Sequence, residues 1–141
     1  MTQFISTFND GNKDKTLTGL VQIGFNVCPT TIEADATPAT LTQAQLNKYN
    51  YFKIAQDDAA TDEFDLPDAA AIGQKITLFA VSAFELRTET DSNDINNVTN
   101  TGYTTTAGDV LTCFKVSATD WIVTKLTILG AAVTVVAGEA A

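Results

Sequence analysis

Histidine is absent from the sequence of 141 residues, and cysteine occurs only twice. Histidine is the usual general base at neutral pH and a common zinc ligand, so its absence argues against histidine-dependent catalysis and against a zinc site. Cys28 and Cys113 lie in apolar runs that are far apart in the chain. In a reducing compartment such residues are usually buried thiols, and a disulfide between them is the alternative.

Basic side chains are also scarce. Eight lysine and arginine residues face 17 acidic residues, which gives a formal net charge of −9. A surface of this sign repels nucleic-acid phosphates, so we expect no nucleic-acid partner. The same charge favours solubility or a basic protein partner.

Long apolar segments are missing as well. No run approaches the ~20 residues that span a bilayer, and the N-terminus lacks the basic and apolar regions of a signal peptide. We therefore expect no membrane partner and a protein made inside the cell.

Recognisable catalytic motifs are absent too. None of the four serines lies in a Gly-x-Ser-x-Gly context, and no glycine-rich loop suits a phosphate group. We therefore expect no enzymatic activity and no cofactor or resident metal. Six carboxylates are concentrated near the middle of the chain, and their spacing does not match an EF-hand, so a solvated acidic loop is expected and cation binding is the alternative. They are Asp57, Asp58, Asp62, Glu63, Asp65 and Asp68.

The residues that are present indicate a β protein. Short runs of β-branched and aromatic residues recur about every ten positions, and the clearest is a predicted hairpin over residues 103–129 with its turn at 117–120. Both strands of this hairpin carry apolar residues on both faces, which predicts that both faces are covered. We predict a mainly β fold, an antiparallel β-sandwich or roll with one or two short helices.

Two segments carry helix signals. Thr42 to Gln45 fits a capping box, which predicts a helix from Gln43 to about Lys48. Leu66 to Gly73 combines proline at a helix start, an alanine run and a closing glycine, which predicts a second helix of one or two turns.

The domain organisation is predicted to be simple. Residues 1–15 form an N-terminal arm, and residues 16–141 form a single β domain. Phe4, Ile5 and Phe8 either join the core or anchor the arm on a neighbouring subunit, and we assign them to an interface.

Several short motifs occur in an order that resembles a group of tailed-phage virion proteins. Those proteins often carry a Leu-Thr-x-x-Gln-Leu-like opening, a Leu-Pro-x-Ala turn before a glycine and a strand, and an Ala-Gly-Asp turn before a strand and a late tryptophan. The matching segments here are Ala39–Leu46, Phe64–Ala69, Gly73–Leu78, Thr106–Thr112 and Trp121–Val123. The first 38 residues add nothing to the resemblance.

The resemblance implies a capsid decoration protein, also called a cement protein, of a tailed bacteriophage. Such a protein binds the major capsid protein on the outer surface of the shell and stabilises it, commonly as a homotrimer. The expected location is the exterior of the virion, after synthesis in the host cytoplasm.

Two other functions fit the composition. A fibre or tail-tip domain would bind a host surface, although the stalk repeats and coiled coil usual in fibres are absent from the sequence. A carbohydrate-binding β module would use Tyr49, Tyr51, Tyr103 and Trp121 as stacking faces. Trp121 is more consistent with a core residue, because its neighbours in the strand are apolar.

Overall fold

The structure is a computed structural model, and it describes residues 24–59 and 61–127. The predicted arm at 1–15 lies outside these ranges. The sequence pattern also predicts a strand over Leu17 to Cys28 and a last short strand at 131–136, and most of the first and all of the second lie outside the described residues. Within them, one helix and ten strands are present. They are α1 (Gln43–Lys48), β1 (Ile32–Ala34), β2 (Tyr51–Gln56), β3 (Glu63–Leu66), β4 (Lys75–Ala80), β5 (Glu85–Thr88), β6 (Asp94–Ile95), β7 (Val98–Thr99), β8 (Tyr103–Thr104), β9 (Asp109–Lys115) and β10 (Asp120–Thr127).

Helix α1 confirms the predicted capping box. The Gln45 backbone N–H donates to Thr42 Oγ1 over 3.2 Å, and the Thr42 backbone N–H donates to Gln45 Oε1 over 2.8 Å. Leu41 and Leu46, on either side of the cap, are both buried in the core. The helix therefore begins where local chemistry satisfies its free amide groups.

The strands form two sheets. The larger has the order β1-β2-β4-β9-β10-β6-β7, and the smaller has the order β3-β5-β8. The chain alternates between the two sheets. Strand β1 of the larger sheet is followed by Ala39, which forms a parallel bridge with Phe64 of the smaller sheet. Strand β2 of the larger sheet is then followed by β3 of the smaller sheet, and β4 is followed by β5 in the same way. Successive passes lie parallel in both sheets, so the first half of the described chain winds as a two-sheet coil.

The prediction of a mainly β fold is confirmed, but the prediction of antiparallel sheets is wrong. Strands β1, β2 and β4 are parallel, as are β3 and β5 and the short pair β6 and β10. Antiparallel pairing is found where β9 joins β4 and β10, where β8 joins β5, and in the β6–β7 hairpin. The coil accounts for the parallel pairs β1–β2–β4 and β3–β5, because each pass returns to the same sheet in the same direction.

The inner faces of the two sheets share one hydrophobic core. The larger sheet contributes Phe52, Ile54, Ile76, Leu78, Leu111, Cys113 and Trp121, and the smaller sheet contributes Phe64, Leu66 and Leu86. Phe64 packs edge-to-face against Phe84 with 6.1 Å between ring centroids. Trp121 is fully buried, which confirms its predicted place in the core.

The prediction of a helix over Leu66 to Gly73 is wrong, because backbone amides of this segment bond to residues that are distant in the sequence. The Asp68 N–H donates to Glu89 Oε2 over 2.6 Å, and the Gly73 N–H donates to the Lys115 carbonyl over 2.7 Å. Gly73 has a φ of 91°, so it does adopt the left-handed conformation that its position suggested. The segment forms turns between β3 and β4.

The run of β-branched and aromatic residues from Lys75 to Leu86 predicts a single strand, and the structure has two, β4 and β5. The chain leaves the larger sheet after β4 and enters the smaller sheet at β5. The corner is fixed by hydrogen bonds, since the Val81 N–H donates to the Ile54 carbonyl over 2.7 Å and the Phe84 N–H donates to Thr105 Oγ1 over 2.9 Å. The apolar run is therefore divided between two sheets.

A buried carboxylate fixes the corner between β2 and β3. Asp62 Oδ2 accepts hydrogen bonds from the backbone N–H groups of Asp57, Asp58 and Ala59 over 3.0, 3.0 and 3.1 Å. The amides of Ala59, Asp58 and Asp57 favour the ionised form, so they hold the pKa of Asp62 below its ordinary range.

We predict that Asp62→Ala lowers the thermal midpoint measurably, because three amides lose their acceptor. A depressed pKa in the folded state stabilises the protein above the unfolded-state pKa, and this stabilisation is lost as the pH falls below about 4. Differential scanning calorimetry against pH measures both effects. The matched control Asp58→Ala removes an exposed carboxylate from the same loop and should leave the midpoint nearly unchanged. Equal midpoints for the two variants would contradict this role of Asp62.

Candidate interaction surface

The outer face of the larger sheet is the side opposite the core. Alternation along β9 and β10 places Leu111 and Cys113 in the core and leaves Phe114, Ile122 and Leu126 outside. The exposed fractions of these three side chains are 38%, 45% and 65%. The prediction that both faces of this hairpin are covered therefore holds for only one face among the described residues.

The exposed residues of this hairpin are close neighbours. Ile122 lies directly opposite Phe114, and Leu126 lies opposite Val110. Side chains that face each other across antiparallel strands are about 5 Å apart at Cβ, so each of these two pairs forms a local apolar surface, and the Thr112–Thr124 pair lies between them. We call Phe114, Val116, Ile122 and Leu126 the hairpin patch.

A cavity of about 540 Å³ lies beside the hairpin patch on the same outer face. Its polar and apolar lining residues come from positions 24, 25 and 50 and from strands β2, β4 and β9. They are Gly24, Phe25, Asn50, Tyr51, Lys75, Thr77, Val110 and Thr112. Phe25 is 68% exposed and packs edge-to-face on Tyr51 with 5.1 Å between ring centroids. The cavity is therefore lined by both polar and apolar groups.

The opposite side of the molecule is acidic. In the smaller sheet Asp65 pairs with Arg87, and the Arg87 guanidinium lies 3.1 Å from Glu63 Oε2 and 2.8 Å from Glu85 Oε1. Arg87 is thus a single cation among several carboxylates. The outer face of the larger sheet carries Lys75 instead, so the two sides differ in both polarity and charge.

These surroundings clearly shift the pKa of the Asp65 carboxyl group. Partial burial, together with the negative charges of Glu63 and Glu89, raises the pKa of Asp65 to about 6. Arg87 opposes that shift without cancelling it. The charge of the acidic side therefore changes around pH 6.

Two further carboxylates of the acidic segment, Asp62 and Asp68, accept hydrogen bonds from the protein itself. Asp62 holds backbone amides, and the Asp68 carboxylate accepts hydrogen bonds from Thr90 Oγ1 over 2.6 Å and Asn93 Nδ2 over 2.8 Å. In residues 24–59 and 61–127, no group of three acidic or thiol side chains is placed to hold a metal ion. Asp62 is buried, so the expectation of a wholly solvated acidic loop is wrong at this position.

The aromatic side chains suggested for sugar stacking are not presented as a platform. Trp121 is buried, and Lys115 Nζ lies 5.7 Å from the centroid of its ring while donating to the Asp68 carbonyl over 2.7 Å. Tyr49 and Tyr103 are half-buried against the core. Tyr51 alone of the four lines the cavity on the outer face.

The two cysteines are buried free thiols in the structure, and burial raises the pKa of the Cys113 thiol. The predicted interface residues Phe4, Ile5 and Phe8 lie outside the described residues. The hairpin patch was not identified from the sequence, because apolar residues on both faces of a strand do not show which face is covered. Exposed Phe114 next to buried Lys115 is the opposite of what hydrophobicity alone suggests.

Comparison of the sequence with protein-family models and with curated proteins finds no match. In the part of the chain that the structure describes, no helix has the length and apolar character needed to cross a membrane.

We predict that Asp65→Asn raises the thermal midpoint at neutral pH by a few degrees, since it removes a disfavoured charge. A folded-state pKa near 6 means that the folded protein binds more protons than the unfolded chain, so stability rises as the pH falls from about 7 to about 4. Asp65→Asn should flatten this part of the pH profile. Glu33→Gln, which neutralises an exposed carboxylate on β1, serves as the control. A profile unchanged by Asp65→Asn would contradict the assignment.

Proposed function

We propose that the protein is a structural component of a tailed-phage virion, a capsid decoration protein that binds the outer surface of the major capsid shell. One observation supports this proposal most strongly: an acidic β domain exposes several large apolar side chains, the hairpin patch, on the outer face of its larger sheet. The order of the sequence motifs points to the same class of protein.

The apolar character of the hairpin patch favours a protein partner. Burial of apolar surface at a contact contributes roughly 25 cal/mol per Å² to the free energy of association. Exposed apolar patches on soluble proteins therefore often mark interaction sites. Acidic residues elsewhere oppose adhesion to packaged DNA. A surface that combines the two properties suits attachment to the outside of a protein shell.

The expected effect on the capsid follows from binding equilibria. A protein that binds the mature shell more tightly than its precursor shifts the equilibrium toward the mature form without any catalysis. Repetition of the contact over a symmetric particle makes many weak contacts act together. We propose a homotrimer, because closed symmetry also lets neighbouring subunits cover exposed strand edges.

At a finer level of fold, we propose a short β-solenoid closed by the β9–β10 hairpin, in place of the antiparallel sandwich or roll. The parallel pairs β1–β2–β4 and β3–β5 support this description. The antiparallel strand β9 then ends the parallel part of the larger sheet and presents the hairpin patch.

We predict that Phe114→Asp combined with Ile122→Asp reduces binding to empty capsids of the parent phage at least about tenfold, which corresponds to ~1.4 kcal/mol. Co-sedimentation of purified protein with the capsids measures this. The control Ile72→Asp changes an exposed apolar residue outside the hairpin patch and should bind normally. Undiminished binding of the double variant, with normal circular dichroism, would rule out the hairpin patch as the contact.

We also predict that deletion of residues 1–10, which removes Phe4, Ile5 and Phe8, leaves a folded domain that no longer coats capsids. Circular dichroism reports folding, and the same co-sedimentation assay reports coating. The control replaces Phe4, Ile5 and Phe8 by leucine, which keeps apolar side chains and should retain much of the binding. Normal coating by the truncated chain would exclude the arm as an interface.

A further inference from the structure

A row of hydroxyl-bearing residues crosses the outer face of the larger sheet and enters the cavity. Thr77 of β4 lies opposite Tyr51 of β2 and opposite Thr112 of β9, and Thr112 lies opposite Thr124 of β10. Tyr51, Thr77 and Thr112 line the cavity, whereas Thr124 is not among its lining residues. Neighbouring strands are ~4.8 Å apart, so three hydroxyl-bearing residues follow one another at that spacing along the cavity.

Thr77 is the residue of this row that the fold buries without using its hydroxyl. Its exposed fraction is 4%, and its backbone N–H donates to the Asn50 carbonyl over 2.8 Å. The neighbours Ile76 and Leu78 face the core, so the Thr77 side chain faces the cavity that it lines. The Thr77 hydroxyl forms no hydrogen bond with another residue of 24–59 or 61–127. A buried hydroxyl needs a partner, which water or a ligand in the cavity supplies.

Hydrogen bonds hold an aromatic pair at the wall of the cavity. Asn50 Nδ2 donates to the Gly24 carbonyl over 2.8 Å, and Asn50 Oδ1 accepts from the Asn26 N–H over 2.6 Å. These bonds fix both chain neighbours of Phe25, which packs on Tyr51 and is 68% exposed. The wall is therefore formed before any ligand arrives, and it offers an aromatic surface to the apolar side of that ligand.

Lys75 adds a hydrogen-bond donor to the cavity. It is exposed, and it forms no ion pair within the part of the chain that the structure describes. No carboxylate is found among the described residues that line the cavity, although the formal charge of the whole chain is −9. A polyanion is repelled by that net charge, so hydroxyl and ammonium groups beside aromatic rings suit an uncharged ligand that is rich in hydroxyl groups.

We propose that the cavity binds one pyranose unit of a neutral glycan. A pyranose ring has an apolar C–H side, which packs on Phe25 and Tyr51, and a rim of hydroxyl groups that donate and accept hydrogen bonds. Thr77, Thr112 and Lys75 bond to this rim. The cavity volume of about 540 Å³ lies within the ~300–1,000 Å³ usual for small-molecule sites.

The site differs from the exposed stacking platform that the sequence suggested. Tyr51 takes part, and its aromatic partner is Phe25 in place of Trp121. The hairpin patch lies beside the cavity, so glycan binding and capsid attachment use different residues. Glycan binding by the purified protein therefore does not depend on the proposed function.

A glycan array probed with the full-length protein tests the proposal, because dense printing lets many weak contacts act together. Neutral glycans that contain hexoses should bind, and titration calorimetry with one of the bound glycans then gives the affinity. No binding to any glycan on the array, or binding to polyanionic glycans alone, would overturn the proposal. Loss of glycan binding as the protein associates, followed by light scattering, would show that a second copy fills the cavity and would also overturn it.

Single substitutions identify the site. Thr77→Val removes the hydroxyl and keeps nearly the same shape, so it should weaken binding of the same glycan at least about fivefold. The control Thr124→Val makes the same change in the same row outside the cavity and should bind normally. Unchanged affinity of Thr77→Val would overturn the proposal.

A second variant decides the matter if Thr77→Val fails to fold by circular dichroism. Phe25→Ala shortens an exposed side chain and should also weaken glycan binding at least about fivefold, whereas Ile72→Ala shortens an exposed apolar side chain outside the cavity and should have no effect. Equal affinities of these two variants would overturn the proposal. Glycan binding together with failed capsid co-sedimentation would refute only the proposed function.

Discussion

Burial of the inner face of the larger sheet against the smaller sheet is the constraint on which the rest of the structure depends. Trp121, Cys113 and Leu111 must face the core, and strand alternation then forces their neighbours Ile122, Phe114 and Val110 to the opposite side. The outer faces of β9 and β10 therefore expose Phe114, Ile122 and Leu126 beside the polar pair Thr112 and Thr124. These exposed apolar side chains belong to the hairpin patch.

The two-sheet coil explains the distribution of charge. The crossing from β2 to β3 runs through an acidic connection, and Asp62 holds this corner by accepting three backbone hydrogen bonds. The carboxylates are thereby gathered around β3 and β5, where Arg87 is close to two of them. One side of the domain is acidic and the other is apolar with lysine, which suits a protein that adheres to other proteins through one side.

Features that depend on neighbouring residues were predicted well from the sequence. The capping box at Thr42 needs only Gln45 three positions later, and the turn at 117–120 joins two strands that pair directly. Features that depend on distant residues were not. The segment from Leu66 to Gly73 has helical signals, but bonds from Glu89 and Lys115 hold it as turns.

The coil itself was hidden because its passes have unequal lengths. Ile32 pairs with Ile54, 22 positions later, whereas Tyr51 pairs with Thr77, 26 positions later, so no fixed period appears in the sequence. The hairpin patch was hidden for a different reason. Phe114 and Lys115 alternate in a strand with apolar residues on both sides, and only the bond from Lys115 to the Asp68 carbonyl shows which of them is inside.

The central claim is that the protein acts by contact on a repeating shell, and the number of copies per virion tests it most directly. Quantitative mass spectrometry of purified particles, with the major capsid protein as the internal reference, gives that number. The account predicts copies on the order of hundreds, in a fixed ratio to the capsid protein, because attachment repeats with the lattice. A few dozen copies or fewer, as expected of a fibre or tail tip, or complete absence from the particle, would contradict it.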